Sequence, residues 1–270
     1  MIGTRSSDLP FKGVFFMCLA VALISGQEAM AKYLGESLPM LQVIGARYFG
    51  HLLLMIVVLM PRNGLNLFKA KRPLVQIGRS GLLLIDTALF FFSLTMIGLA
   101  EATAIFFCVP ILVVLLSVPL LGERLEWSRL IAVIIGFIGM LVIIRPGSGA
   151  IGIGALLTFG AAFCASIFNI ATRKLADEDP VPVTMFYTAL AGALVMMVIV
   201  PFIRENPLGW QQWTALLLVG IAGGAAHSCF IASHFFAPAS TVAPFMFSQI
   251  FWALGFGYLI YGALPHKITV

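Results

Sequence analysis

Four ionisable side chains interrupt the long apolar stretches of this chain. Glu28, Arg47, Asp86 and His227 each lie among residues that are mostly apolar. If those stretches cross a membrane, the charges are costly there and mark the path of a solute or a proton. Arg47 could clamp a carboxylate or a phosphate, and Asp86 could pair with a cation or accept a proton. We therefore predict that Arg47 and Asp86 contact a solute, with Glu28, Asp86 and His227 as candidates for proton coupling.

A purely structural interpretation exists for each of these residues. Arg47 could form an ion pair with Asp86 or Glu28 that holds the first helices together. Glu28 could instead pair with Lys32, one helical turn away. His227 could be a neutral histidine with a hydrogen bond and no role in transport. The sequence leaves both interpretations open.

Aromatic and amide side chains offer a second kind of chemistry. The chain has 23 phenylalanines, and several fall in the middle of apolar stretches. Phe90, Phe247 and Trp252 are predicted to line a cavity and to stack on a planar ring. Ser248 and Gln249, beside Trp252, are predicted to supply hydrogen bonds at the same depth. For any single aromatic residue, packing against a neighbouring helix or lipid is the alternative.

A short enzyme-like motif is the main competing signal. Residues 78–81 read Gly-Arg-Ser-Gly, the form of the nucleophile motif of rhomboid-type intramembrane proteases, with His227 or His234 as a base. Four letters arise easily by chance in a glycine-rich chain, and Arg79 is expected at the membrane edge, where its charge reaches the headgroups. The zinc-protease, P-loop and dinucleotide motifs are absent from the sequence, and none of the four cysteines forms a Cys-x-x-Cys pair. The sequence predicts no enzyme, cofactor or metal.

The elements that carry these residues are long apolar stretches. The chain of 270 residues is 61% hydrophobic and 10% charged, and stretches of roughly 20 apolar residues match the thickness of a bilayer. An all-α integral membrane protein is predicted, with lipid as a partner and no nucleic acid. We place nine helices at about 11–31, 39–60, 73–97, 101–121, 128–145, 151–172, 181–203, 211–235 and 239–261. Most lysines and arginines then fall on one side, led by the loop at 62–72, which predicts a cytoplasmic N-terminus.

The apolar pattern is written twice. Residues 11–130 and 151–270 share one order of spans and breaks at an offset of 140, so that Phe90 corresponds to Phe230. Because each unit has five helices, the second unit must insert in the opposite direction, and duplicated membrane halves are typical of solute carriers. Pro110 and Pro244 fall in the two corresponding fourth helices. They are predicted as hinges, with static bends as the alternative.

Two segments resemble a known family. Residues 99–104 (Leu-Ala-Glu-Ala-Thr-Ala) lead to Pro110 and Gly122-Glu123, and residues 237–245 repeat the pattern. Both are similar to the EamA repeats of the drug/metabolite transporter superfamily. The resemblance implies inverted five-helix repeats, here at 11–145 and 151–270 after a cytoplasmic tail of residues 1–10. It also implies a cavity lined mostly by helices one, three, four, six, eight and nine, and peripheral helices that can form a homodimer.

The resemblance implies a secondary active transporter of the bacterial inner membrane that works by alternating access. The solutes of such proteins include amino acids, riboflavin-like and S-adenosylmethionine-like compounds, and the motifs do not choose among them. The chain departs from the pattern at its end, because a tenth helix should begin near residue 268 and Gly122-Glu123 becomes Gly262-Ala263. A truncated relic or an assembly protein that does not transport is therefore the alternative function.

Overall fold

The computed structural model describes residues 10–97, 99–122, 127–144, 152–207 and 209–261, and within these ranges the chain is helical with no β-strand. The predicted N-terminal tail, the junction between the halves and the C-terminal segment lie almost wholly outside the described residues. The helices are α1 (Pro10–Gly35), α2 (Met40–Asn63), α3 (Pro73–Ser93), α4 (Leu99–Phe106), α5 (Cys108–Leu121), α6 (Trp127–Ile144), α7 (Ile153–Leu175), α8 (Val181–Ile199), α9 (Trp210–Phe236), α10 (Ala239–Val242) and α11 (Gln249–Tyr261).

Eight helical segments are long and apolar enough to cross a membrane, which confirms the predicted all-α membrane class. The sequence predicted nine such helices. The additional one forms as α6 but is not among the eight. Its 18 residues rise about 27 Å, slightly less than the bilayer core of about 30 Å.

Two of the spans are broken in the middle. Phe107 separates α4 from α5, and a 3-10 helix at Ala243–Ser248 separates α10 from α11. Proline explains both breaks, because Pro110 has no N–H to donate to the Phe106 carbonyl and Pro244 has none for Ser240. The breaks stand at corresponding points of the two repeats, as the two proline positions predict.

The packing of the helices repeats between the two halves. The contact of α1 with α9 corresponds to that of α7 with α3, and α2 with α9 corresponds to α8 with α3. Side chains follow the same rule: Ser93 and Ser233, 140 residues apart, each donate a hydrogen bond of 2.7 Å to the carbonyl of Phe90 and Phe230, respectively. Each half thus packs mainly against the other, and a cavity lies where they meet.

Candidate functional site

The central cavity is lined by both halves of the chain. Its wall takes side chains from α1, α2, α3, α4, α7 and α9 and from the span that contains α11. The lining residues are Val21, Ile24, Gln27, Glu28, Arg47, Leu83, Asp86, Thr87, Phe90, Phe91, Phe106, Ala165, Phe168, Asn169, His227, Phe230, Met246 and Gln249. Arg47, Asp86, Glu28, His227, Phe90 and Gln249, all predicted from the sequence as site residues, meet here.

Arg47 forms a bridge inside the cavity wall. Its side chain is 4% exposed, and its guanidinium donates to Thr87 Oγ1 at 2.6 Å and to His227 Nε2 at 2.7 Å. Because arginine only donates hydrogen bonds, His227 must accept through Nε2 and carry its proton on Nδ1. His227 is therefore neutral, which agrees with the structural interpretation of that residue. Neither ion pair considered for Arg47, with Asp86 or with Glu28, forms among the described residues.

Two carboxylates face the same cavity from different helices. Glu28 is 7% exposed and accepts a hydrogen bond of 3.1 Å from Gln249 Nε2, so the side chain turns inward and away from the membrane surface. Asp86 is 8% exposed and makes no hydrogen bond or ion pair among the described residues. A buried carboxylate normally has a partner. Asp86 is thus a group that a cationic ligand could satisfy.

Several other polar atoms around the cavity also have no partner. Nε of Arg47 and Nδ1 of His227 are buried donors without an acceptor among the described residues. Oε1 of Gln27 and Oδ1 of Asn169 are buried acceptors without a donor. Unpaired buried polar groups are rare in native proteins. A cavity that leaves both donors and acceptors open is suited to a solute that carries both kinds of group.

Aromatic rings form the rest of the wall. Phe168 stacks on Phe230 with ring centroids 5.7 Å apart, and Phe90 meets Phe106 edge-on at 4.9 Å. The His227 ring lies 6.0 Å from that of Phe168. These faces provide a planar, apolar surface beside the charged groups.

Three residues predicted to bind the solute lie elsewhere. Trp252 is 47% exposed, and Ser248 is exposed and donates to the carbonyl of Phe245. Phe247 packs against Phe107, with ring centroids 5.3 Å apart, and neither residue lines the cavity. The sequence placed them correctly in depth, but the 3-10 helix at Ala243–Ser248 turns their side chains away and leaves Gln249 toward the cavity.

The enzyme-like motif has a structural explanation. Ser80 donates its hydroxyl to the carbonyls of Gln76 and Tyr187, at 2.8 Å each, and forms no hydrogen bond to a histidine. Arg79, expected to reach the headgroups, is 1% exposed and points into the protein, which corrects that expectation. Its neighbours Thr172 and Thr188 hold it there.

Phe168, Asn169, Thr87 and Phe230 line the cavity but were not singled out from their own surroundings. The repeat contains the signal that could have found three of them. An offset of 140 takes Glu28 to Phe168, Phe90 to Phe230 and Thr87 to His227, and both members of each pair line the cavity. Asn169 corresponds to Ala29, so no charge or aromatic residue in the other half marks it.

Comparison with known proteins agrees with this architecture. A solved crystal structure superposes with a TM-score of 0.76 over 95% of this chain and 91% of the other, at 20% sequence identity, and thus shares the fold. An S-adenosylmethionine uptake transporter of Rickettsia felis is 27% identical over 262 residues, which are 96% of this chain and 87% of the relative. The pseudopaline exporter CntI of Pseudomonas aeruginosa is 25% identical over 266 residues, 97% of this chain and 92% of that protein.

A family model matches nearly the whole chain. The EamA-like transporter family model matches residues 11–145 and again residues 152–270. The two matches coincide with the two halves that share one packing pattern and enclose the cavity between them. The chain belongs to the EamA-like transporter family.

Proposed function

We propose that the protein is a secondary active transporter for a small zwitterionic metabolite that carries a planar ring and one more positive than negative group, of the S-adenosylmethionine type. The observation that carries the proposal is the charge of the cavity. Two carboxylates, Glu28 and Asp86, face one guanidinium, Arg47, among the described lining residues. A solute with an excess positive group would balance that lining.

The parts of such a solute match the groups that are open in the cavity. A sulfonium or ammonium group would pair with Asp86, which has no partner among the described residues. A carboxylate would accept from Arg47 Nε and His227 Nδ1, and a planar ring would lie against Phe168 and Phe230. A solute that satisfies buried polar groups is strongly preferred over one that leaves them unpaired. A relative whose name states S-adenosylmethionine uptake supports this choice.

The transport cycle we propose is alternating access between the two halves. Because each half packs mainly on the other, a rocking motion would open the cavity to one side of the membrane at a time. Glu28 and Asp86 are our candidates for proton coupling, since each is a buried carboxylate that a proton could neutralise while the solute is away. In this proposal the protein resides in a bacterial inner membrane with its N-terminus in the cytoplasm.

The test is counterflow in proteoliposomes. Vesicles loaded with unlabelled S-adenosylmethionine should accumulate the labelled compound from outside, whereas vesicles loaded with riboflavin or single amino acids should not. Asp86→Asn should weaken binding about tenfold or more, because a buried charge pair is lost while the size of the side chain is kept. Glu205→Gln, an exposed carboxylate outside the cavity, is the matched control and should bind like the wild type. If no solute of the panel accumulates, the proposal is wrong, and a chain that does not transport becomes the better interpretation.

A further inference from the structure

A second arginine lies buried beyond the cavity and has no acidic partner. Arg79 is 1% exposed, donates to Thr172 Oγ1 at 3.0 Å and to the Thr184 carbonyl at 2.9 Å, and contacts Thr188 Oγ1. Its Nε has no acceptor, and the guanidinium forms no ion pair among the described residues. Buried charges are normally paired with an opposite charge. Here neutral oxygens take the places that a carboxylate would fill.

The nearest carboxylate is engaged with other groups. Asp179 accepts from the Lys71 N–H at 2.7 Å and from Gln76 Nε2 at 2.9 Å. Gln76 also donates to Thr184 Oγ1. The local network therefore reaches Arg79 only through neutral groups, and the demand of the guanidinium for an anion remains.

The other half of the chain indicates that packing does not require this charge. Val219 occupies the position 140 residues after Arg79, and Ile44 and Tyr48 correspond to Thr184 and Thr188. Val219, Ile44 and Tyr48 are fully buried and belong to one apolar cluster. The same helix crossing is thus closed by apolar side chains in one copy and by a guanidinium with threonines in the other. An arginine at this crossing calls for a reason other than stability.

One ring separates Arg79 from the cavity. The guanidinium carbon lies 4.9 Å from the centroid of Phe168, and Phe168 lines the cavity. Arg79 also precedes Asp86 by seven residues, which is two turns, or about 10 Å, along one face of α3. Leu83, between them, lines the cavity as well. Arg79 is therefore the next charged group on this face beyond Asp86, toward the end of the molecule where α3 begins.

We propose that Arg79 is a second anion site, which binds the carboxylate of a solute that leaves the cavity toward the start of α3. Phe168 moves aside in this step, and the solute carboxylate replaces the threonine oxygens. The inference rests on the proposed function for the passage of a solute. The class of ligand, a carboxylate, follows from the buried guanidinium itself.

The first experiment compares two probes that differ only in the carboxylate. Wild type, Arg79→Lys and Arg79→Gln are assayed by counterflow with labelled S-adenosylmethionine and with its decarboxylated form. Arg79→Gln should slow the first about tenfold or more and the second less than about twofold, because only the first carries the anion. Arg79→Lys, which keeps the charge, should recover part of the rate. Equal slowing of both probes, or of neither, would overturn the proposal. Arg72→Gln, at an exposed arginine, is the matched control.

The second experiment does not depend on the proposed solute. Thr188→Cys is placed in a background without the four native cysteines, and its reaction with a charged thiol reagent is measured in vesicles. Acetate should slow the reaction when Arg79 is present and should have no effect with Arg79→Gln. If position 188 never reacts, or if acetate has no effect, the anion site is wrong. If wild type carries neither probe but acetate protects position 188, only the proposed function fails.

Discussion

Arg47 joins corresponding positions of the two repeats. Its two hydrogen-bond partners, Thr87 and His227, lie 140 residues apart on α3 and α9. The sequence predicted that Arg47 and His227 matter, because ionisable groups in apolar spans are rare. It could not predict that they bond to each other, since the partners of a buried arginine are fixed by the crossing of three helices.

Arg47→Lys tests whether this bridge needs a planar fork. A lysine ammonium is a point charge on a flexible stem and cannot reproduce the fixed directions of both hydrogen bonds. One acceptor would then be buried without its donor, which costs about 1–3 kcal/mol. We expect a lower midpoint of thermal unfolding in detergent and a higher concentration of solute for half-maximal counterflow. Arg72→Lys, at a side chain 54% exposed, should change neither quantity. An Arg47→Lys variant that matches the wild type in both would show that charge alone suffices.

At the scale of elements, α2 and α9 cross at a contact between two glycines. A Cβ atom added to Gly220 would lie 2.5 Å from Cα of Gly50 and 2.7 Å from the carbonyl oxygen of Ala46. Both are backbone atoms, so the helices themselves would have to separate. This close approach is the one that small residues permit in membrane proteins.

Gly220→Ala should therefore destabilise the protein by about 1–3 kcal/mol through overpacking. Thermal unfolding in detergent measures the effect. Gly81→Ala is the matched control, because it also lies within a helix but a Cβ there would meet nothing within 4 Å. The control should be neutral or slightly stabilising, since alanine is the better helix former. Equal midpoints for the two variants would contradict a tight crossing of α2 and α9.

The break at Pro244 makes a different prediction, about motion. Replacement by alanine returns an N–H that can donate to the Ser240 carbonyl, and the helix gains up to about 3 kcal/mol of local preference. If the break serves the transport motion, Pro244→Ala should slow counterflow while the thermal midpoint stays the same or rises. Pro119→Ala, within α5 and away from the break, should leave the rate unchanged. A Pro244→Ala variant that transports at the wild-type rate would mark the break as a static bend.

For the whole molecule, the sequence predicted the order of helices, the two halves and most of the charged cavity residues. These features follow from hydrophobic length, proline positions and the rarity of charge in apolar spans. The faces of the helices could not be predicted, because an apolar membrane helix presents similar side chains to lipid and to its neighbours. Trp252 and Phe168 illustrate the difficulty, since both are aromatic and both lie within a span, yet only Phe168 lines the cavity.

Two polar connections tie the halves together at the end of the molecule that holds the starts of α3 and α8. Asp179, 3% exposed, accepts from the Lys71 N–H and from Gln76, whereas Glu178 pairs with Arg72 at 2.6 Å. The shorter distance does not make the second connection stronger. The Arg72 and Glu178 side chains are 54% and 25% exposed, and an ion pair that water reaches contributes about 0–1 kcal/mol. Each hydrogen bond to the buried carboxylate contributes about 1.5–3 kcal/mol.

Asp179→Ala should therefore lower the midpoint of thermal unfolding clearly more than Glu178→Ala does. It should also act on transport, because α8 can move away from α3 on this side only when the hydrogen bonds of Asp179 break. With those bonds removed, the cavity should open to this side more often, and a cysteine at position 188 should react faster with a charged thiol reagent. Glu178→Ala should leave that reaction rate within about twofold of the parent, as expected for an exposed pair. If both variants react and unfold alike, the two halves are held together on this side by apolar packing instead, and Asp179 is only a structural residue of the loop.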